Sequence, residues 1–283
     1  MKTTPYQIRR MSRLDLKTAI GWASREGWNP GLYDLDPFYD LDPDGYFLGL
    51  LGDRPVASIS CLRYSSSYGF LGFYIVDPGL RGQGLGLALW SAALKHVDGC
   101  VVGLDGVVAQ QENYRRSGFE LAWHNVRYQG RGQGPGRHDA RIVPLSAVPF
   151  DVLAAYDRAF HPEPRSAFLR AWIALPNSRA LGWVDAGELR GYGVIRACVD
   201  GHKIAPLCAD SPGIAEALLG ALCASVPSHD PVFIDVPQAL PQSAAWAKSL
   251  GMEPTFPTAR MYRGPAPSLD LSRLYGLTAL EVG

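Results

Sequence analysis

The chain has 283 residues and 47% hydrophobic content, enough for one large domain or two of ordinary size with full cores. It carries 27 basic and 27 acidic side chains, so its formal net charge is zero. This balance argues against nucleic acid or an anionic membrane as the partner, since clustered positive charge binds both.

The cysteines and the N-terminal residues indicate the compartment. The five cysteines are scattered and form no Cys-x-x-Cys pair, which predicts reduced, mostly buried thiols and no metal site. The first residues lack the apolar stretch of a signal peptide, and no apolar run reaches the about 18 residues that a membrane-spanning helix needs. We therefore expect a cytoplasmic protein.

The elements of the first half follow from local signals. Ser12 can cap the first helix, Asp36-Pro37 offers a cap and first turn for the second, and Gly118 can end the fourth in the C′ position. In chain order the pattern predicts a strand, two helices, three antiparallel strands, a helix, a strand, a helix and a strand: 6–10, 12–27, 36–39, 46–51, 55–63, 70–76, 87–96, 100–104, 110–117 and 119–128.

A glycine-rich turn follows the strand at 70–76. The turn runs from Arg81 to Gly86 and leads directly into an apolar helix. The first N–H groups of a helix have no internal partner and the helix dipole is positive there, so such a turn can hold a phosphate group. Its three glycines leave the amides accessible, and Arg81 adds a positive charge. An ordinary tight connection between strand and helix is the alternative interpretation of the turn taken alone.

The turn differs from two common phosphate-binding motifs and resembles a third. It lacks the Gly-Lys-Ser/Thr of a triphosphate P-loop, and its glycines lack the Gly-x-Gly-x-x-Gly spacing of a dinucleotide fold. Arg81, Gly84 and Gly86 form Arg-x-x-Gly-x-Gly, which resembles the acetyl-CoA-binding motif of the GNAT superfamily of N-acetyltransferases. The run 113–119 resembles the Tyr-x-x-x-Gly-Phe pattern of that family, with Tyr114 as its tyrosine. The order of elements is also the GNAT order.

The resemblance implies an α/β fold with a mixed, mostly antiparallel sheet flanked by helices, acetyl-CoA as co-substrate and no metal. It implies that backbone N–H groups of the central strand bind the pantetheine arm and the carbonyl oxygen, and that the Tyr114 hydroxyl protonates the leaving thiolate. The residues that it assigns to acetyl-CoA are Tyr74, Ile75, Val76, Arg81, Gly82, Gln83, Gly84, Leu85, Gly86, Asn113, Tyr114 and Arg116.

No motif marks the general base or the acceptor site. Asp105 follows the strand predicted at 100–104, where two parallel strands would separate beside the thioester. It could bind the ammonium group or relay its proton, or it could only cap a turn. GNAT folds form much of the acceptor site from the loop between the first two helices, which implies contacts from Trp28, Asn29 and Asp34.

The second half repeats the element order of the first. The segment 130–136 is rich in glycine and predicts a catalytic domain at 1–130, a linker at 131–139 and a second domain at 140–283. Gly251 follows Gly118 by 251 − 118 = 133 residues, which indicates an internal duplication. The predicted elements are 140–143, 150–160, 166–175, 178–184, 189–199, 202–209, 213–225, 232–236, 243–250 and 254–262, with one more strand-like run at 274–282.

The second copy lacks both catalytic signals. Its turn at 209–212 has no arginine and contains Asp210 where a pyrophosphate would lie, and Ala247 occupies the position of the tyrosine. We therefore expect a degenerate GNAT domain that forms a wall of the acceptor pocket, through Tyr156, Arg165 and Asp235, or that packs in a homodimer.

Together these features predict a tandem GNAT protein that transfers acetyl from acetyl-CoA to a primary amine of a small molecule by direct attack. A covalent cysteine mechanism has no support, because no histidine adjoins Cys61 or Cys100. Two alternatives stay open: a non-catalytic acetyl-CoA-binding regulatory protein, and an N-acetyltransferase that acts on proteins or peptides.

Overall fold

A continuous thirteen-stranded mixed sheet organises the computed structural model, which describes residues 5–132 and 139–283. The strands are β1 (Tyr6–Arg10), β2 (Tyr46–Leu51), β3 (Arg54–Arg63), β4 (Tyr68–Val76), β5 (Val101–Val107), β6 (Glu120–Arg131), β7 (Ile142–Pro144), β8 (Ser178–Asp185), β9 (Glu188–Ala197), β10 (His202–Ala209), β11 (Pro231–Pro237), β12 (Glu253–Arg263) and β13 (Leu274–Gly276). Their order across the sheet is β1-β2-β3-β4-β5-β12-β6-β11-β10-β9-β8-β7, and β13 pairs with β10.

Helices flank this sheet in both halves. The α-helices are α1 (Arg13–Arg25), α2 (Leu35–Leu41), α3 (Leu85–Leu94), α4 (Gln111–Arg116), α5 (Phe150–Asp157), α6 (Ser166–Trp172), α7 (Pro212–Cys223) and α8 (Pro241–Ser249). The element order predicted for both halves and the mixed α/β class are thereby confirmed.

The helix starts show where local signals suffice and where they fail. Ser12 accepts a hydrogen bond from the Asp15 amide, and the Asp15 carboxylate accepts one from the Ser12 amide, so a capping box fixes the start of α1. The predicted cap of α2 was wrong. The helix begins at Leu35, which places Asp36 inside its first turn and makes Asp34 the N-cap residue.

The central strand β4 contains a bulge that determines the geometry of the site. Phe73 has φ +47°, and the register between β4 and β3 shifts there. On its other side β4 pairs with β5 in parallel, as predicted, only from Tyr68↔Val101 to Leu71↔Leu104. The two strands separate beyond Leu71, and a gap opens between them.

The last strands of the two halves have exchanged places, which the sequence analysis did not anticipate. β12 of the second half pairs with β5, from Thr258↔Val107 to Arg263↔Val102, and β6 of the first half pairs with β11. β6 and β12 also pair with each other at the centre of the sheet. The two halves therefore share one continuous sheet, in which the last strand of each half completes the other.

Buried contacts reinforce this connection. Phe38 of α2 stacks on Trp172 of α6 at 5.7 Å between ring centroids, within a core cluster to which both halves contribute. Three buried ion pairs join a residue of the first half to one of the second: Asp34 with Arg196, Asp105 with Arg260, and Arg127 with Asp235. The five cysteines are buried and form no disulfide, as expected.

The predicted linker lies partly within the sheet. Gly130 and Arg131 belong to β6 and pair with Val232 and Pro231 of β11. Residues 133–138 of the predicted linker lie outside the described residues.

The strand exchange predicts that residues 1–132 do not fold alone. Without the second half, β6 loses its neighbours β11 and β12, and the edge of β5 loses β12. We expect the isolated fragment to aggregate and to unfold without a cooperative transition, as measured by gel filtration and circular dichroism. Co-expression with residues 139–283 should restore a soluble complex. A monomeric fragment with cooperative unfolding would contradict this prediction.

Candidate active site

A cavity of about 470 Å³ occupies the gap between β4 and β5. It extends from the glycine-rich turn, past the bulge of β4, to the ring of Tyr114. Residues of the second half border it as well, so both halves form the site.

The bulge leaves backbone amides of β4 facing this cavity. The Asp77 amide donates to the Val56 carbonyl oxygen of β3, at 2.9 Å. Successive residues of a strand point their amides to opposite sides, so those of Tyr74 and Val76 point away from β3, toward the gap. Since β4 and β5 pair no further than Leu71, these amides can bind a ligand. Tyr74, Ile75 and Val76 all line the cavity, and their assignment to acetyl-CoA stays a prediction.

The glycine-rich turn presents the unpaired amides of α3 at the mouth of the cavity. Gly82 and Gly84 have φ of +79° and +81°, and open space surrounds the position that a Cβ atom would occupy at either residue. Gly84 is the N-cap of α3 and has no side chain to satisfy the amides that follow it. The structure thus provides a cradle that fits a pyrophosphate.

Gly86 was expected to leave room for a phosphate, but its missing side chain leaves room for β4. A Cβ atom there would lie 2.7 Å from the Tyr74 hydroxyl and 2.8 Å from Cγ2 of Val76, too close for van der Waals contact. Its missing side chain therefore lets α3 pack closely against β4, whereas Gly82 and Gly84 keep the cradle open.

Arg81 lies beside the cradle and is held in place by first-half groups. Its Nε donates to the Val76 carbonyl oxygen at 3.0 Å, and its guanidinium forms an ion pair with Glu26 of the segment after α1. The side chain is half exposed and lines the cavity, so it can meet a phosphate from solvent.

Tyr114 lies at the inner end of the cavity with 8% of its surface exposed. Its ring stacks on Trp90 of α3, and Gly106 makes room for it, because a Cβ atom at that position would overlap the ring. Burial, with a smaller contribution from Tyr74, raises the pKa of Tyr114 above its ordinary value. The phenol therefore stays protonated at neutral pH and can donate a hydrogen bond.

Asp105 lies within β5 and not in a turn after it, which corrects its predicted position. Its carboxylate accepts two hydrogen bonds from Arg260 of β12, at 2.7 and 2.5 Å, and one from Asn125 at 2.7 Å. Burial raises the pKa of Asp105 and the Arg260 guanidinium opposes that shift. The residue borders the cavity, but three of the about four acceptor positions of its carboxylate are occupied and it is held in an ion pair with Arg260, which argues against its predicted role as base.

The predicted acceptor contacts are mostly engaged elsewhere. Trp28 lines the cavity. Asn29 does not, because its side-chain amide exchanges two hydrogen bonds with the backbone of Asp200. Asp34 is buried and accepts two hydrogen bonds from Arg196, so it is unavailable to an acceptor. These two assignments are corrected to contacts between the halves.

Other predicted residues also lie away from the cavity lining. Gln83, Asn113 and Arg116 are exposed and do not line the cavity. Among the speculative wall residues, Arg165 pairs with Asp157, and the Tyr156 hydroxyl donates to Asp210 in the second-half turn. The third, Asp235, accepts two hydrogen bonds from the buried Arg127 guanidinium.

The sequence analysis missed the second-half residues that border the cavity. These are Phe256, Thr258, Leu280 and Glu281. The only signal was the strand-like run at 274–282, and nothing in it indicates a position beside β4.

The described parts of the chain, 5–132 and 139–283, hold no cluster of three or more His, Cys, Asp or Glu residues arranged for a metal. In the same residues no helix has the length and apolar character required to cross a membrane.

Comparison with known proteins identifies both halves. The family described as "Acetyltransferase (GNAT) family" matches residues 13–119, and the one described as "Acetyltransferase (GNAT) domain" matches residues 153–276. A relative from Pseudoalteromonas sp. (strain SANK 73390), named holothin acyltransferase, is 32% identical over 262 residues. The match covers 93% of this chain and 89% of the relative.

Solved structures share the architecture over the full chain. A putative acetyltransferase from Pyrococcus horikoshii superposes with a TM-score of 0.83 at 20% identity, covering 100% of this chain and 97% of its own. A tandem GNAT protein from the clavulanic acid biosynthesis pathway superposes with a TM-score of 0.64 at 14% identity, covering 93% and 100%. At such identities the likeness shows the fold.

Proposed function

This chain belongs to the GNAT superfamily of acyltransferases, and we propose that it transfers acetyl from acetyl-CoA to a primary amine of a small molecule by direct attack. The proposal rests above all on the gap between β4 and β5. This gap connects an unblocked glycine cradle, two inward-facing strand amides and a protonated tyrosine within one cavity.

The donor residues fall into two groups along the cavity. We assign the pyrophosphate to Arg81 and to the amides that open α3, at Leu85 and Gly86, with Gly82 and Gly84 leaving them accessible. We assign the pantetheine arm and the carbonyl oxygen to the β4 backbone at 74–76.

Bound acetyl-CoA supplies a thioester, whose acyl carbon accepts the amine. The amides of Tyr74 and Val76 are fixed by the sheet and face the place where the carbonyl oxygen gains negative charge. Such preorganised donors contribute on the order of 3 kcal/mol to lowering a barrier. Tyr114 then gives its proton to the departing sulfur, a role that suits a neutral phenol.

The acceptor is proposed to be a small molecule because the second half covers the cavity. Phe256, Thr258 and Leu280 border it, and Trp28 adds an aromatic surface. The relative named for holothin, 32% identical over most of the chain, supports a small acceptor and leaves the acyl length open. A peptide substrate would require an open groove at this position.

The test is release of the CoA thiol with a panel of acyl donors and amines. Acetyl-CoA and longer acyl-CoAs should be combined with spermidine, amino acid amides, an aminoglycoside, a heteroaromatic amine and a lysine peptide. Turnover with one class of small amine supports the proposal. Binding of acetyl-CoA without turnover favours the regulatory alternative, and preference for the peptide favours the protein acetyltransferase.

Replacement of Arg81 by alanine should weaken acetyl-CoA binding by roughly 10- to 100-fold, because a charge-assisted hydrogen bond contributes about 1.5–3 kcal/mol. Isothermal titration calorimetry measures this change, which should shrink at high salt. Arg54→Ala is the matched control, since Arg54 is exposed and pairs with Asp77 outside the cavity lining. Equal affinity for acetyl-CoA in the wild type and Arg81→Ala would remove Arg81 from the donor site.

A further inference from the structure

One carboxylate in the cavity lining lacks a partner. Glu281 is 4% exposed, and its Oε1 has no hydrogen-bond partner among the described residues. The cavity is bordered by two further acidic side chains, and both are paired, Glu26 with Arg81 and Asp105 with Arg260. Burying an unpaired carboxylate lowers the stability of the fold. Such groups are found at functional sites, where the carboxylate takes part in the chemistry.

Contacts with Asp235, Tyr64 and Gly72 fix the segment that carries Glu281 next to β4. The Leu277 amide donates to the Asp235 carbonyl oxygen at 2.9 Å, and the Tyr64 hydroxyl donates to the Val282 carbonyl oxygen at 2.6 Å. At Gly72 a Cβ atom would overlap the Glu281 backbone, so the absent side chain lets this segment approach β4 closely. The Glu281 backbone thus lies against Gly72, next to the bulge of β4, and the residue borders the cavity whose β4 lining is assigned to the thioester.

The surroundings of Glu281 are charged but make no ion pair with it. Lys203 and the pairs Arg127–Asp235 and Arg196–Asp34 surround it, and no basic nitrogen of the described residues comes within ion-pair distance. Lys203 instead donates to the Asn29 carbonyl oxygen at 2.9 Å. Burial raises the pKa of Glu281, which the nearby cations oppose and Asp34 reinforces.

We propose that Glu281 is the general base, which accepts the proton of the acceptor amine, so that the second half supplies a catalytic residue to the first. This inference rests on the proposed acyl transfer. The second half lacks a phosphate-binding turn of its own, and the inference gives it a chemical role in the site of the first half.

The step balances, because Glu281 accepts one proton and Tyr114 donates one. As the bond from the amine nitrogen to the acyl carbon forms, Glu281 takes one proton from that nitrogen. The carbon–sulfur bond breaks with its electron pair on sulfur, and sulfur takes the Tyr114 proton. Loss of the Glu281 proton to solvent and reprotonation of Tyr114 restore the starting state.

The activity test compares Glu281→Gln with Glu281→Asp and with the control Glu253→Gln. Glu253 is exposed on β12 and lies outside the cavity lining. With the best amine of the panel, we expect kcat of Glu281→Gln to fall about 10²-fold, within the range typical of general bases. Affinity for acetyl-CoA should not change, and Glu281→Asp should recover part of the rate. A rate of Glu281→Gln equal to that of the control would overturn the inference.

The pH profile gives a second readout. In the wild type, kcat/KM should fall on the acidic side as Glu281 gains a proton, with an apparent pKa above the ordinary glutamate value. The Glu281→Gln variant should lose this acidic limb. An unchanged limb would show that another group titrates.

Thermal stability separates a catalytic role from a structural one. The folded protein keeps the Glu281 proton to a higher pH than the unfolded chain, so this residue lowers stability progressively as pH rises from its ordinary pKa to its folded one. Glu281→Gln should therefore have a Tm at neutral pH equal to or higher than that of the wild type. A large decrease in Tm would mean that Glu281 acts through the structure.

Difference infrared spectroscopy tests Glu281 without turnover. A protonated buried carboxyl gives a carbonyl stretch that should vanish as pH rises, shift on addition of acetyl-CoA and be absent in Glu281→Gln. If the wild type acetylates no amine, the proposed function fails while this signal still decides whether Glu281 titrates beside bound acetyl-CoA. Absence of the signal in the wild type would overturn the inference independently.

Discussion

Replacing Tyr114 with phenylalanine is expected to lower kcat by about 10²- to 10³-fold, the range typical of loss of a positioned acid. The affinity for acetyl-CoA should change by less than about twofold, because the ring keeps its stacking on Trp90 and its place beside Gly106. Release of the CoA thiol measures the rate, and calorimetry measures the affinity.

The raised pKa of Tyr114 adds a constraint to this prediction. Because burial keeps the phenol protonated, the Tyr114 titration should not lower wild-type activity on the alkaline side until well above the usual pKa of about 10. The matched control is Tyr128→Phe, which removes the hydroxyl of a buried tyrosine of β6 outside the cavity lining. Equal kcat in Tyr114→Phe and the wild type would show that another group protonates sulfur.

The features that were predicted from sequence depend on neighbours along the chain. The glycine turn needs only a strand before it and a helix after it, and the place of Tyr114 is fixed by the short helix that ends at Gly118. The parallel pairing of β4 with β5 followed from the same local order. Such signals survive in a single sequence because they are set by a few consecutive residues.

The exchange of β6 and β12 was not predictable by the same means. Both strands occupy the same position in a duplicated element order, so either could complete either half. The carboxylates of Asp34 and Asp105 also looked available for chemistry in the sequence, because their partners are distant along the chain. Their partners, Arg196 and Arg260, are 162 and 155 residues away in sequence. Glu281 was overlooked because only the folded tail brings it to the cavity.

Replacing Asp105 with asparagine is expected to lower the free energy of unfolding by about 3–5 kcal/mol, since it leaves the Arg260 charge buried without its partner. Urea denaturation measures this loss. Asp53→Asn makes the same change at an exposed hairpin residue and should have little effect. Unchanged stability of Asp105→Asn would mean that the buried guanidinium does not depend on this carboxylate.

A double variant then separates structure from chemistry at Asp105. Asp105→Leu combined with Arg260→Met removes both charges and should recover most of the lost stability, because apolar residues of similar volume replace a buried ion pair at little cost. If Asp105 only joins β5 to β12, the double variant should keep kcat within about tenfold of the wild type. If the double variant is stable but its kcat falls by about 10²-fold or more, the loss typical of a general base, then Asp105 would be that base. In that case Glu281 would be left to bind the acceptor, because one amine proton needs only one base.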